Sequence, residues 1–207
     1  MSPETGSSSP GLWPEDRRLY LITPFRPDLE AFLGAAVRGG VDIVQLREKG
    51  LADGALLRRA EEARAVTRAL GVPFVLNDRS DVAVLVGADA VHVGQEDLPV
   101  AEARRFGLAV GLSTHAPGEV DGADADYIGV GPVFATPTKP GRPPVGLHLV
   151  RYAAEHARLP WFAVGGIDHS NVREVVEAGA RRIAVVRAIG DAEDPERAAR
   201  ELRSALP

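Results

Sequence analysis

The chain has 207 residues, 45% hydrophobic and 26% charged, with a formal net charge of -5. This balance is ordinary for a globular protein, and its sign excludes a general nucleic-acid surface while leaving room for a local basic pocket. The absence of cysteine excludes disulfides, thiol nucleophiles and thiolate metal sites. No stretch is apolar for the length that a membrane-spanning helix needs.

Ser, Pro and Gly dominate the first 16 residues, which carry neither a basic start nor an apolar stretch. This composition is typical of a disordered leader rather than of a secretion signal. We therefore expect residues 1–16 to be disordered, residues 17–207 to form one folded domain, and the protein to be cytoplasmic.

Eight short apolar runs are predicted strands, and in chain order they lie near Tyr20, Val44, Phe74, Val91, Val110, Ile128, Phe162 and Ala184. The segments between them, such as "LLRRAEEARAVTRAL", have apolar residues at helical spacing. Short strands that are apolar on both faces and alternate with helices indicate a parallel sheet, and eight such units favour a closed (β/α)8 barrel. An open doubly wound sheet is the alternative.

Four of these strands are preceded by a glycine, and a charged residue stands two positions after each of these glycines. A glycine at such a joint is typical of a helix that ends in the left-handed conformation. We therefore predict left-handed helix ends at Gly40, Gly87, Gly122 and Gly179.

The active site of a (β/α)8 barrel lies at the carboxyl ends of its strands, so the polar residues there are candidates. Arg47, Lys49 and Lys139 can neutralise phosphate oxygens. Asp78 and Asp97 follow neighbouring strands and together can hold Mg²⁺, which favours a few carboxylates plus phosphate oxygens. Cations beside paired carboxylates indicate a diphosphate ligand.

A second phosphate site is predicted where Gly165 and Gly166 end the seventh strand, because two glycines allow a ligand to approach the backbone closely. The segment Gly131–Gly146 has neither helical nor strand periodicity, and a loop of that length is typical of a functional or a disordered segment. It carries Thr136 and Thr138.

Each feature also has a purely structural interpretation. Asp78 and Asp97 suit helix caps or turns, His92 suits a strand-end histidine with satisfied hydrogen bonds, and His115 suits a helix start. Only their joint placement on successive strand ends favours a functional site.

Eight segments closely resemble the thiamine-phosphate synthase family from about Leu19 to the C-terminus. In order they are "LYLIT", "VQLREK", "NDRSDVA", "HVGQEDLP", "GLSTH", "GVGPVFATPTKPG", "AVGGI" and "VVRAI". The resemblance implies a (β/α)8 barrel and a Mg²⁺-dependent transferase. It would join 4-amino-5-hydroxymethyl-2-methylpyrimidine diphosphate to a thiazole phosphate and release pyrophosphate; that pyrophosphate leaves before the thiazole nitrogen attacks is a separate mechanistic hypothesis.

The resemblance also assigns site residues. It gives the pyrimidine diphosphate to Gln45, Arg47, Lys49, Asn77, Ser113 and Lys139, of which Arg47, Lys49, Ser113 and Lys139 are the expected catalytic residues. It gives Mg²⁺ to Asp78 and Asp97. It gives the thiazole phosphate to Thr136, Thr138, Gly166, Val186 and Arg187.

Two positions depart from the family pattern: Pro24 and Phe25 stand where relatives often carry Asp, and Arg187 where many carry Ser. The alternatives are a thiazole tautomerase of the same family with His115 as acid or base, a non-catalytic sensor of a phosphate ligand, and a general phosphosugar barrel enzyme. Small-molecule substrates are the expected partners, without nucleic acid or membrane, and a homo-oligomer is left open.

Overall fold

The computed structural model describes residues 17–136 and 143–207. The predicted leader, residues 1–16, and two predicted site residues, Thr138 and Lys139, lie outside the described residues.

Eight strands and nine helices follow one another along the described ranges, each strand followed by one helix except β8, which is followed by two. The strands are β1 (Leu19–Thr23), β2 (Ile43–Leu46), β3 (Phe74–Asn77), β4 (Ala90–Val93), β5 (Ala109–Thr114), β6 (Tyr127–Val130), β7 (Trp161–Val164) and β8 (Ile183–Val185). The helices are α1 (Leu29–Arg38), α2 (Asp53–Leu70), α3 (Ser80–Leu85), α4 (Val100–Arg104), α5 (Pro117–Asp121), α6 (Gly146–His156), α7 (Val172–Glu177), α8 (Arg187–Gly190) and α9 (Pro195–Ala205). In the described part of the chain, no helix combines the length and apolar character required to cross a membrane.

The strands form a closed barrel in which each is parallel to the next, and β1 closes the circle by pairing with β8. The register places Ile22 opposite Gln45 and Asn77 opposite His92, so the carboxyl ends of the strands meet at one rim. The predicted (β/α)8 barrel is therefore confirmed, and the open doubly wound sheet is wrong.

Aromatic rings fill the centre of the barrel. Tyr20 and Tyr127 each meet Phe162 edge to face, with ring centroids 5.3 and 6.0 Å apart, an arrangement that aromatic pairs favour. Gly111 leaves room for this packing, because a Cβ atom there would lie 2.1 Å from Cζ of Tyr127. Apolar residues of opposite parity, such as Val44, pack outward in the larger core between sheet and helices.

Three aspartates fix the opposite rim, where the strands begin. Each precedes an even-numbered strand and exchanges two hydrogen bonds with a residue at or near the start of the preceding strand. Its carboxylate accepts from that residue's amide at 2.8–3.1 Å, and its amide donates to that residue's carbonyl at 2.8–3.0 Å. The pairs, called base clamps below, are Leu19 with Asp42, Phe74 with Asp89, and Val110 with Asp126.

Left-handed glycines end the helices at three of the four predicted joints, with φ of 112° at Gly40, 64° at Gly87 and 106° at Gly179. The prediction is wrong at Gly122, where φ is -85°. The amide of Gly122 still bonds to the carbonyl of Gly118 at 3.0 Å, as inside a helix, so the chain leaves α5 without a left-handed residue.

Candidate active site

A cavity of about 670 Å³ opens at the rim formed by the carboxyl ends of the strands. Eleven of the predicted site residues line it: Gln45, Arg47, Lys49, Asn77, Asp78, Asp97, Ser113, Thr136, Gly166, Val186 and Arg187. They come from seven of the eight strand ends, so their meeting is a consequence of barrel closure. A volume of this size is within the range of small-molecule sites.

Two carboxylates and an ammonium group meet on one side of this cavity. Asp78 follows β3 and Asp97 follows β4, and the two carboxyl groups lie close enough for Asp97 to raise the pKa of Asp78. Lys49 Nζ also donates to Asp78 Oδ2. Burial raises the pKa of the Asp78 carboxyl, Lys49 opposes that rise, and the negative charge of Asp97 adds to it. Negative charge is thus concentrated here and only partly compensated.

Asp78 is also held in a rare backbone conformation. Its φ of 63° makes it the one non-glycine residue with positive φ among the described ranges. The Asp78 amide donates to the carbonyl of His92 at 2.8 Å, which fixes the turn after β3. Left-handed non-glycine residues cost free energy and are concentrated at functional sites, so the surrounding structure holds this carboxylate in place.

Asn77 supplies a hydrogen-bond donor next to the two carboxylates. Its side chain is buried, and Nδ2 has no hydrogen-bond partner among residues 17–136 and 143–207. Leaving a buried amide donor unsatisfied costs about 1–3 kcal/mol. A donor of this kind on a cavity wall indicates that a ligand acceptor completes the site.

A chain of hydrogen bonds crosses the barrel beneath the cavity. Gln45 Nε2 donates to the hydroxyl of Tyr20 at 2.7 Å, and the hydroxyls of Tyr20 and Tyr127 are 3.1 Å apart. The hydroxyl of Tyr127 lies 3.1 Å from His92 Nδ1, and His92 Nε2 lies 3.0 Å from Ser113 Oγ. We call this series the central chain. It joins two predicted pyrimidine-binding residues, Gln45 and Ser113, through residues that sequence reasoning left out of the site.

The glycine pair after β7 is required by the protein's own loop. Residues 133 and 134 run beside β7, with their amides bonded to the carbonyls of Val164 and Gly165 at 2.9 and 3.0 Å. Gly165 and Gly166 have φ of 101° and 65°, and a Cβ atom on Gly166 would lie 2.8 Å from the carbonyl oxygen of Ala135. The glycines thus let the loop pack closely, which places Thr136 on the cavity wall.

His115 is tied to the start of the same loop. Its Nδ1 donates to the carbonyl of Gly131, and its backbone amide donates to Glu119 at 2.7 Å. The contacts of His115 therefore agree with the structural interpretation, a histidine at the start of a helix, and His115 is also among the residues that line the cavity.

Glu48 is a residue that sequence reasoning missed. Its side chain points away from Arg47 and Lys49 and accepts hydrogen bonds from the amide of Phe25 at 2.8 Å and from Arg59 at 2.9 Å. It thereby joins the segment after β1 to α2. Strand alternation already places Glu48 opposite the two cations, but nothing in the sequence identifies its partners.

These features define a class of protein: a (β/α)8 barrel whose rim combines cations, paired carboxylates and an unsatisfied amide donor suited to phosphate-bearing ligands. A family model described as thiamine monophosphate synthase matches residues 19–189. The chain belongs to the thiamine monophosphate synthase family.

Individual relatives agree with this family. A thiamine-phosphate synthase from Thermus thermophilus is 55% identical over 199 residues, which cover 91% of this chain and 97% of that protein. A thiamine-phosphate synthase from an Arthrobacter species is 51% identical, over 92% of this chain and 94% of that protein.

Solved structures give the same result. A thiamine phosphate pyrophosphorylase from Pyrococcus furiosus superposes with a TM-score of 0.82 at 35% identity, covering 91% of this chain and 95% of that one. A 3-hexulose-6-phosphate synthase superposes with a TM-score of 0.68 at 22% identity, covering 92% of this chain and 100% of that one. The second likeness concerns the barrel fold alone.

Proposed function

We propose that this protein is a thiamine-phosphate synthase, a transferase that joins 4-amino-5-hydroxymethyl-2-methylpyrimidine diphosphate to a thiazole phosphate and releases pyrophosphate. The observation that carries the proposal is the close approach of Asp78, Asp97 and Lys49 at the mouth of the cavity. Family membership and the names of relatives about 50% identical support the same reaction.

The donor set at the rim fits Mg²⁺. No group of three or more metal-binding side chains is found among the residues that the structure describes, so a cation here would have two protein carboxylates, Asp78 and Asp97. Mg²⁺ is commonly bound by one or two carboxylates together with substrate phosphate oxygens. When bound, it would neutralise negative charge on the diphosphate.

The protein's own residues would promote departure of the diphosphate. Electron donation from the 4-amino group lets the pyrimidine methylene carry positive charge, so the C–O bond to the diphosphate breaks and the electron pair leaves with pyrophosphate. The thiazole nitrogen then donates its lone pair to the methylene carbon. Arg47 and Lys49 would stabilise charge on the leaving group, and Lys139 is assigned the same role from the sequence. No enzyme nucleophile is needed.

The remaining residues would position the substrates. Asn77 would donate its unsatisfied Nδ2 hydrogens to the diphosphate, and Gln45 and Ser113 would bind the pyrimidine. Thr136, with Gly166, Val186 and Arg187, lines the part of the cavity assigned to the thiazole phosphate, and Thr138 is assigned there from the sequence. Holding the two reactants in line supplies the positional part of catalysis.

A coupling assay tests the proposal. The purified protein is incubated with both substrates, with Mg²⁺ or with excess EDTA, and thiamine phosphate is detected by mass. We expect product only with Mg²⁺, and a fall in turnover of about 10²–10³-fold for Asp78→Ala and for Asp97→Ala, the cost of one electrostatic donor. Asp124→Ala, on the exposed surface where Asp124 pairs with Arg104, is the control. Full activity of both site variants in EDTA would reject the metal-diphosphate site.

A thiazole tautomerase is the second candidate, because His115 is among the residues that line the cavity. An isomerase binds no diphosphate and has no use for the carboxylate pair. Interconversion of thiazole tautomers without coupling, abolished by His115→Ala and unaffected by Asp97→Ala, would establish it in place of the synthase.

A further inference from the structure

We propose that Asn171 is a positioning residue for a phosphate group bound at the end of β7. It holds the backbone of Gly166 so that the Gly166 amide is presented to that phosphate. The inference rests on the proposed function for the identity of the ligand, the thiazole phosphate. The way in which Gly166 is held concerns this chain alone.

Asn171 uses both ends of its side-chain amide on the turn after β7. Its Nδ2 donates to the carbonyl oxygen of Gly166 at 2.9 Å, and its Oδ1 accepts from the backbone amide of Asp168, also at 2.9 Å. The side chain thus spans the turn from Gly166 to Asp168, two residues that line the cavity. Asn171 is not among the described residues that line it, so any effect on a ligand passes through the turn.

These bonds take the place of the usual role of an asparagine at this position. Asn171 directly precedes α7, and an asparagine there ordinarily accepts a hydrogen bond from an amide of the first helical turn. Its side chain makes no such bond to any described residue of α7. Before α9, by contrast, the carboxylate of Asp194 accepts from the amide of Arg197 at 2.9 Å. The side chain of Asn171 therefore serves the turn and not its own helix.

The backbone of Gly166 is one that needs such support. Its φ of 65° is left-handed, and glycine restricts its own backbone least of all residues. A Cβ atom there would lie 2.8 Å from the carbonyl oxygen of Ala135, so a bulkier residue cannot supply the stiffness. The amide of Phe134 donates to the carbonyl of Gly165 at 3.0 Å, and Asn171 donates to that of Gly166. One hydrogen bond thus holds the peptide group on each side of Gly166.

These two hydrogen bonds set the direction of the Gly166 amide. In a planar trans peptide the carbonyl and the following N–H point in opposite directions. Because the Gly165 carbonyl faces the amide of Phe134, the N–H of Gly166 points away from that part of the loop. Among residues 17–136 and 143–207 this N–H has no hydrogen-bond acceptor. Backbone N–H groups bind oxyanions through charge-assisted hydrogen bonds, so this amide is suited to a phosphate oxygen.

Steady-state kinetics test the role of Asn171. Asn171→Ala removes both hydrogen bonds without adding charge, and Asn171→Asp lacks the Nδ2 donor at nearly the same size. We expect each variant to raise KM for the thiazole phosphate about tenfold. The KM for the pyrimidine diphosphate and kcat should keep their wild-type values, because binding that is equal in ground and transition states affects KM alone. An increase confined to Asn171→Asp would come from its charge and would refute the role.

Asp194→Ala is the control that separates positioning from stability. It removes a true helix cap, so it should lower the free energy of unfolding while leaving both KM values unchanged. Partial unfolding reduces the concentration of active protein, and with it the apparent kcat, but not KM. An equal rise in the thiazole-phosphate KM of Asp194→Ala and of the Asn171 variants would show that lost stability is the cause, and would refute the positioning role.

The Gly166 amide can be observed directly in the full-length protein, with inorganic phosphate as the probe. The sequence contains two Gly–Gly pairs, Gly39–Gly40 and Gly165–Gly166. Glycine labelled with carbonyl carbon-13 and nitrogen-15 therefore gives two signals in an NMR experiment that selects bonds between labelled residues, and their sequential neighbours, Val41 and Ile167, tell them apart.

We expect phosphate to shift the Gly166 signal until it saturates. The Gly40 signal, from the opposite rim, should show only the general effect of added salt. In Asn171→Ala the phosphate concentration that half-saturates the Gly166 shift should be about tenfold higher than in the wild type.

The outcomes distinguish this inference from the proposed function. Wild-type KM values in both Asn171 variants of a protein that couples the substrates would refute the positioning role and leave the synthase standing. A wild type that does not couple them would refute the proposed function, and the phosphate titration would then decide this inference alone. A Gly166 signal that phosphate leaves unchanged in the wild type, or that responds equally in Asn171→Ala, would overturn it.

Discussion

Asp42 allows a direct test of how much burial of an ionised base-clamp carboxylate lowers the free energy of unfolding. Burial raises its pKa from 3.8 to about 6, against the opposing effect of the amides of Arg18 and Leu19 and of the charges on Arg203 and Arg17. Arg18 and Leu19 donate to the two carboxylate oxygens at 2.6 and 3.1 Å. Burial and hydrogen bonding therefore act in opposite directions at one side chain, and the pH dependence of stability shows which prevails.

The direction follows from proton binding. Between about pH 4 and pH 6 the folded protein keeps a proton on Asp42 that the unfolded chain has already lost, so stability falls as pH rises through this window. A rise of roughly 2.2 pH units, at about 1.36 kcal/mol each, corresponds to at most about 3 kcal/mol. Asp42→Asn cannot ionise, so its free energy of unfolding lacks this loss.

Urea unfolding of both proteins from about pH 4 to about pH 7.5 measures the effect. The difference, wild type minus Asp42→Asn, should fall by up to about 3 kcal/mol between about pH 4 and pH 6 and then level off. Asp124→Asn is the control for the change in net charge. A difference that rises with pH would show that the amides and arginines outweigh burial, and would refute the reasoning.

Two further predictions concern packing and the carboxylate site. Gly111→Ala should lower the free energy of unfolding by about 1–3 kcal/mol, because its Cβ would overlap the ring of Tyr127. Urea unfolding compares this variant with Gly118→Ala, whose Cβ meets nothing within 4 Å. Equal free energies of unfolding for the two variants would contradict the prediction. Lys49→Met removes the group that lowers the pKa of Asp78, so that pKa should rise. On acidification, activity that needs ionised Asp78 should then begin to fall at a higher pH than in the wild type. A pH–rate profile with Mg²⁺ checks this, and an acid limb displaced to lower pH would contradict it.

Local periodicity was sufficient to predict the barrel and much of its rim. Two-residue alternation places Gln45, Arg47 and Lys49 on one face of β2 and its extension, and all three line the cavity. Neighbouring parallel strands bring their carboxyl ends together, which is why the proximity of Asp78 and Asp97 could be anticipated from chain order. The roles of these residues toward substrates stay predictions.

Long-range packing could not be predicted in the same way. Tyr20 and Tyr127 are 107 residues apart, and their contact depends on how deep each ring lies in the closed barrel. Gly165 and Gly166 were predicted to let a ligand approach, which stays a prediction, and the sequence did not show that loop residues 132–135 also approach them closely. A sequence shows that a close approach is needed, but not which atoms approach.

The base clamps group the strands in twos: β1 with β2, β3 with β4, and β5 with β6. If the chain is cut between two of these strand pairs, at residues 71–73, 106–108 or 158–160, both residues of every base clamp stay in the same fragment. Dividing the chain at residues 39–41 would separate Asp42 from Leu19. Fragment complementation should therefore succeed at the first kind of break and fail at the second, which makes these joints the natural places to split or circularly permute the barrel.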